Sequence, residues 1–171
     1  MWLRAGRFFH GWSLCQLGQP DQGIAEMEAG IPSDRQTSIR TAVLAESYAR
    51  VGRIEEGLAL LNESLRHIER TGANLEQPEI MRIKGEVLLM RDQKATDDAE
   101  ACFRSALHGA RMQETKWWEL RISVSLGRLL RDTGRHDEAR TMLGEIYNWF
   151  TEGFELPDMK EAKKLLEELN G

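Results

Sequence analysis

Ala45-Glu46-Ser47-Tyr48-Ala49-Arg50-Val51-Gly52-Arg53-Ile54-Glu55-Glu56-Gly57-Leu58-Ala59-Leu60-Leu61-Asn62-Glu63-Ser64 is the stretch that decides the fold. Counting from Ala45, Tyr48 stands three positions on and Gly52 seven on. Gly57, Leu61 and Ser64 follow at twelve, sixteen and nineteen. Two antiparallel helices joined by a tight turn need this order. Small residues let the helices cross closely, and large apolar ones fill the space beside the crossing. The glycine between them can end the first helix in a left-handed cap. Gly inside a helix costs about 0.5–1 kcal/mol relative to Ala, so Gly57 is explained if close backbone approach offsets that cost.

The spacing recurs on both sides. From Gly11 it runs through Leu14, Gly18, Gly23, Met27 and Gly30. From Gly127 it runs through Leu130, Gly134, Ala139 and Leu143, with Ile146 in the last small slot. From Gly85 it gives Leu88, then two extra residues before Ala99, Phe103 and Ala106. The extra residues fall in the polar stretch from Arg91 to Asp97, which reads as a longer turn. The origins lie 34, 40 and 42 residues apart. Self-similarity at this period marks a solenoid, and the pattern resembles the tetratricopeptide (TPR) repeat.

The expected fold is all-α: an α-α superhelix (TPR-like solenoid) of about four helical hairpins plus a C-terminal capping helix. The expected organisation is a single domain, 1–171, with repeats at about 2–31, 35–71, 77–113 and 115–151. First helices are expected over 2–17, 35–51, 77–91 and 115–133, and second helices over 20–30, 54–71, 96–113 and 136–151. The capping helix is expected over 158–169, with Asp158 as N-cap after Pro157. Met159, Ala162, Leu165, Leu166 and Leu169 form its apolar stripe, and a half-polar helix of this kind can close a solenoid's apolar edge. No comparable cap precedes the first hairpin, where Trp2, Leu3, Phe8, Phe9 and Trp12 crowd together. That end reads as a cut edge, either part of a longer array or a homodimer surface.

Composition narrows the function classes. Hydrophobic residues make up 41% and charged residues 30%, the balance of a water-soluble chain. The net charge of −5 and the lack of a basic stripe argue against nucleic acid. No run of about 18 apolar residues suggests a membrane span, and no signal-peptide core forms at the start. Cys15 and Cys102 stand far apart and read as free thiols. The expected location is cytoplasmic.

Chemistry-bearing clusters are not apparent. His10, His67, His108 and His136 are scattered, and no HExxH motif occurs. Adjacent acids such as Glu55-Glu56 point about 100° apart on a helix and do not act as a pair. Ser13, Ser47 and Ser125 lack base and orienting partners. The expectation is a non-enzyme with no cofactor and no metal. Trp117-Trp118, with Arg111 and Lys116 beside them, reads first as packing between hairpins. The alternative is a stacking platform for a base or a cation.

Several segments carry a narrower resemblance: Ala99-Glu100-Ala101-Cys102-Phe103-Arg104-Ser105-Ala106-Leu107, Trp118-Glu119-Leu120-Arg121 and Trp149-Phe150-Thr151-Glu152-Gly153-Phe154, then Pro157-Asp158-Met159-Lys160-Glu161-Ala162-Lys163. With Gly11-Trp12-Ser13-Leu14 upstream, the order resembles the C-terminal TPR region of bacterial multidomain adenylate/guanylate cyclases or transcriptional regulators carrying a STAND-type ATPase. The chain departs from the general repeat where Arg7, Thr41, Met81 and Ser123 replace a tryptophan four residues before each origin. The resemblance implies a regulatory scaffold that meets a protein or peptide, or upstream cyclase/ATPase domains of a parent protein. It transfers no catalysis, since neither metal-binding aspartates on a β-rich domain nor a phosphate-binding GxxxxGK[ST] loop is present.

The resemblance also implies that first helices line a concave groove. Positions three before, one after and five after each origin would face it: Phe8, Trp12 and Gln16; Ala42, Glu46 and Arg50; Arg82, Glu86 and Met90; Val124, Arg128 and Asp132. Arg121 and Arg131 lie nearby. The candidate groove residues are Trp12, Glu46, Arg50, Arg82, Glu86, Arg121, Arg128 and Arg131, with the arginines suited to carboxylates on a bound peptide. A small-effector (nucleotide or metabolite) sensor and a structural oligomerisation unit remain open alternatives.

Overall fold

The computed structural model describes residues 2–31 and 39–171. Within them the chain forms α1 (Trp2–Gln16), α2 (Pro20–Gly30), α3 (Ile39–Arg50), α4 (Ile54–Thr71), α5 (Gln77–Arg91), α6 (Thr96–Met112), α7 (Lys116–Asp132), α8 (His136–Trp149) and α9 (Pro157–Asn170). These match the expected helices to within two residues wherever they are described. The expected start of the third helix, 35–38, lies outside the described residues.

Consecutive helices pack in pairs, α1 on α2, α3 on α4, α5 on α6 and α7 on α8. Along the stack α3 also packs on α5, α5 on α7 and α7 on α9, and α1 approaches α3 through side chains, with Phe8 in one buried cluster with Leu44 and Tyr48. The result is an all-α superhelix with its first helices side by side.

The turn chemistry follows the sequence. Gly18, Gly52 and Gly134 have φ of +80°, +85° and +80°. At the second hairpin the Arg53 N–H donates to the Tyr48 carbonyl at 2.9 Å and the Gly52 N–H to the Ala49 carbonyl at 3.0 Å. These bonds satisfy carbonyls that a helix end otherwise leaves orphaned. A Cβ on Gly57 would stand 2.6 Å from the Ala45 carbonyl oxygen, and one on Gly11 2.4 Å from that of Gly23. Backbones meet there, as the spacing requires. At Gly85 the neighbour is instead the Phe103 ring, and at Gly127 it is a Leu165 methyl. In the later hairpins the small residue makes room for a side chain.

The core runs the length of the stack. Phe103, Leu130, Leu143 and Met159 are fully buried. On α9, Met159, Ala162, Leu165 and Leu169 are buried and Leu166 half-buried, as the stripe predicts. Asp158 does not cap α9. The helix begins at Pro157, Leu156 occupies the N-cap position, and Asp158 sits in the first turn, where its charge meets the positive end of the helix dipole.

Candidate concave interaction groove

The first helices bring Trp12, Glu46, Arg50, Arg82 and Arg121 together in one cleft of about 390 Å³. It is lined by residues of α1, α3, α5 and α7. Phe9 and Trp12, 59% and 44% exposed, share it with Ile39, Val43 and Ile83. Glu86 and Arg128 line a second cleft of about 510 Å³, with Leu89, Met90, Ser125 and Asp132. Arg131 lines neither. Ala42 and Val124, expected to face the groove, are buried in the core.

The arginines do not project free into solvent. Arg82 is buried and donates to both Glu79 oxygens, at 3.0 Å from Nε and 2.8 Å from Nη2. Its Nη1 also donates to Ser125 Oγ at 3.4 Å and lies 3.7 Å from Glu86 Oε1. Burial works against the Arg82 cation, yet the hydrogen bonds and charge of Glu79 outweigh it and keep the pKa above the ordinary arginine value. Arg121 Nη1 stands 3.1 Å from the same Glu79 carboxylate and its Nε 3.8 Å from Asp158. Arg128 pairs with Glu161, and Arg131 with Glu168 and Asp132. Arg50 pairs with Glu46 at 2.8 Å, one turn away.

Glu79 was absent from the expected groove set, although it lies three residues before Arg82, the spacing of a helical ion pair. Its two oxygens hold Arg82 and Arg121 from two hairpins, so it organises the cleft floor. Ser125 was likewise set aside for want of a catalytic partner. In the structure its hydroxyl donates to Glu86 at 2.6 Å and accepts from Arg82, forming a polar bridge between α5 and α7 that separates the two clefts.

Trp117 and Trp118 are half-buried against the core, and Trp117 meets Phe150 edge-on at 5.7 Å. Trp149 and Phe154 are the exposed rings near that end. Arg111 and Lys116 both donate to the buried Glu119, at 2.8 Å each. Burial opposes the Glu119 charge, but these two cations hold its pKa below the usual carboxylate value. Cys15 and Cys102 are free thiols, both pushed upward in pKa by burial. Among the described residues no group of three or more His, Cys, Asp or Glu is placed to hold a metal ion. No helix there is long and apolar enough to cross a membrane.

The tetratricopeptide repeat family model matches residues 40–63 and 120–145, which fall on α3–α4 and α7–α8. No curated protein matches the sequence. Among solved structures, the nearly identical TPR-like repeats of a putative kinesin light chain from Podosopora anserina superpose with a TM-score of 0.67 at 16% identity, covering 96% of this chain and 92% of that one. A MamA protein superposes with a TM-score of 0.53 at 18% identity, covering 99% and 88%. At such identities the likeness is one of fold. The repeat spacing, the left-handed glycines and these superpositions converge, and the chain is an all-α TPR-like superhelix, with the tetratricopeptide repeat model matched over its second and fourth hairpins.

Proposed function

We propose that the chain is a protein-interaction module, not an enzyme, and that its concave groove holds an extended peptide segment or a neighbouring domain. The observation that carries this is the cleft between α1 and α3. It leaves Phe9 and Trp12 exposed beside Ile39, Val43 and Ile83, over a floor of paired charges. Exposed aromatic rings beside arginine are the composition of binding hot spots. An apolar side chain entering there would release water from both rings, while Arg50, Glu46 and Arg121 orient its backbone. On the narrower resemblance, the module is a cytoplasmic regulatory scaffold of a bacterial signalling protein that engages cyclase or ATPase domains.

Selection of peptides from a random display library tests the groove. Selected peptides should carry a large apolar residue and lose about tenfold or more in affinity, about 1.4 kcal/mol, against Trp12→Ala. The variant's helical circular dichroism should be unchanged. Peptides that bind both proteins equally would rule the cleft out.

Leu3 on α1 and Leu17 in the turn after it, 87% and 74% exposed, favour self-association as a second reading. Sedimentation that shows mass rising with concentration, and no rise in Leu3→Lys/Leu17→Lys, would support it.

A further inference from the structure

The second cleft carries a charge opposite to the one the arginine-rich sequence suggests. Arg128 and Arg131 are engaged by Glu161, Glu168 and Asp132. Glu86 and Asp132 line the cleft itself. Each uses one oxygen internally: Glu86 Oε1 accepts from Ser125, and Asp132 Oδ1 from Arg131. Among the residues lining the cleft, the carboxylates of Glu86 and Asp132 outnumber the guanidinium of Arg128, while Arg82 Nη1 reaches within 3.7 Å of Glu86 Oε1. The walls between the acids are Leu89, Met90 and Leu129, with Met90 42% exposed. A carboxylate entering this cleft would meet an excess of its own charge.

We infer that this cleft receives a basic side chain, lysine or arginine, from the extended segment bound along the groove. This deepens the groove reading and rests on it. The aliphatic stem would lie against Leu89 and the adaptable Met90 thioether. The cationic head would sit between Glu86 and Asp132, where potentials of opposite sign favour entry and register. The Arg82–Ser125–Glu86 bridge holds the Glu86 carboxylate in place, so the head meets a positioned acceptor. A segment spanning both clefts would therefore carry an apolar anchor for Phe9 and Trp12 and a base for Glu86 and Asp132.

The test is nitrogen-15 NMR titration of the whole chain with three probes: acetyl-Ala-Leu-Lys-Leu-Ala-amide and its norleucine and glutamate counterparts. The lysine probe should shift amides around Glu86–Thr96 and Ser125–Thr133, and bind about tenfold more tightly than the glutamate probe. The preference should shrink at high salt and vanish in Glu86→Gln/Asp132→Asn, which keeps the size and hydrogen-bonding shape of both groups. Cleft shifts that ignore or invert the probe's charge overturn the basic subsite and leave the groove reading standing. So does a lysine preference that survives the double substitution. No binding of the lysine probe overturns the subsite. Shifts confined to the second helices, α6 and α8, overturn the subsite and the groove reading together.

Discussion

Glu79 and Arg82 form a two-bond fork on α5, at 3.0 and 2.8 Å, with both side chains almost withdrawn from solvent. The fork lies under the groove, and Arg121 from the next hairpin shares its carboxylate. A paired buried charge is tolerated. An unpaired one is costly, because desolvation is no longer offset.

Glu79→Ala should therefore destabilise the fold by about 3–5 kcal/mol, as for other broken buried pairs. Replacing both partners, as Glu79→Leu/Arg82→Met, should restore most of that loss, since the remaining Arg121 is partly exposed and keeps Asp158 as a neighbour. Urea unfolding of the single and double variants checks both values.

Two glycine substitutions should act in opposite directions. Gly57→Ala places a methyl 2.6 Å from the Ala45 carbonyl oxygen and must push two helices apart, so a loss of about 1–3 kcal/mol is expected. Gly144 lies inside α8 with nothing within 4 Å of a built Cβ. Gly144→Ala should gain about 0.5–1 kcal/mol from backbone entropy alone. Thermal unfolding of the two variants should show shifts of opposite sign.

Glu114 adopts φ of +55°, where a side chain is strained. It sits in the α6–α7 turn, where the Thr115 N–H reaches the Ala110 carbonyl at 3.0 Å. Among the described residues the other positions of positive φ are glycines. Glu114→Gly relieves a cost of about 1–2 kcal/mol, partly offset by the greater freedom of glycine in the unfolded chain. A net gain of about 0.5–1 kcal/mol and a raised melting temperature are expected.

Glu100 bridges Arg104 and Arg135 from adjacent hairpins. Burial opposes its charge, but the hydrogen bonds from Arg135 and Arg104 hold its pKa below the ordinary 4.5. A folded pKa below the unfolded one means stability that is complete above pH 4.5 and lost as pH falls through the depressed value. Glu100→Gln should flatten this acid limb in a pH series of urea midpoints. A limb of unchanged depth would refute the assignment.

Tyr48 titrates in the opposite sense. Its hydroxyl donates to Glu28 at 2.6 Å, and burial together with that carboxylate pushes its pKa up to about 12 from 10.0. A raised folded pKa gives stability that is complete below pH 10.0 and lost as pH rises through about 12. Tyr48→Phe should remove this alkaline limb, which tyrosinate absorbance during unfolding would report.

Much of the architecture was legible because it rests on short-range rules. The Gly52 cap follows from backbone sterics within one turn, and the Gly57 crossing from the absence of a side chain where two backbones touch. The α9 stripe follows from the helical period of Met159, Ala162, Leu165 and Leu169. Each depends on residues a few positions apart, or on a spacing repeated along the chain.

The groove was only half legible. Its arginines were visible in the sequence, but the destination of their charge was not. Arg128 meets Glu161 33 residues away, and Arg131 meets Glu168 37 residues away. Those pairings exist because α9 lays its acids against α7. The sequence alone determined the hairpins, the turn glycines Gly18, Gly52 and Gly134 and the closing helix, through local periodicity and sterics. Only the tertiary structure decided which charges are spent on one another and which sign of charge each cleft presents, because Coulombic pairing depends on distances that packing alone sets.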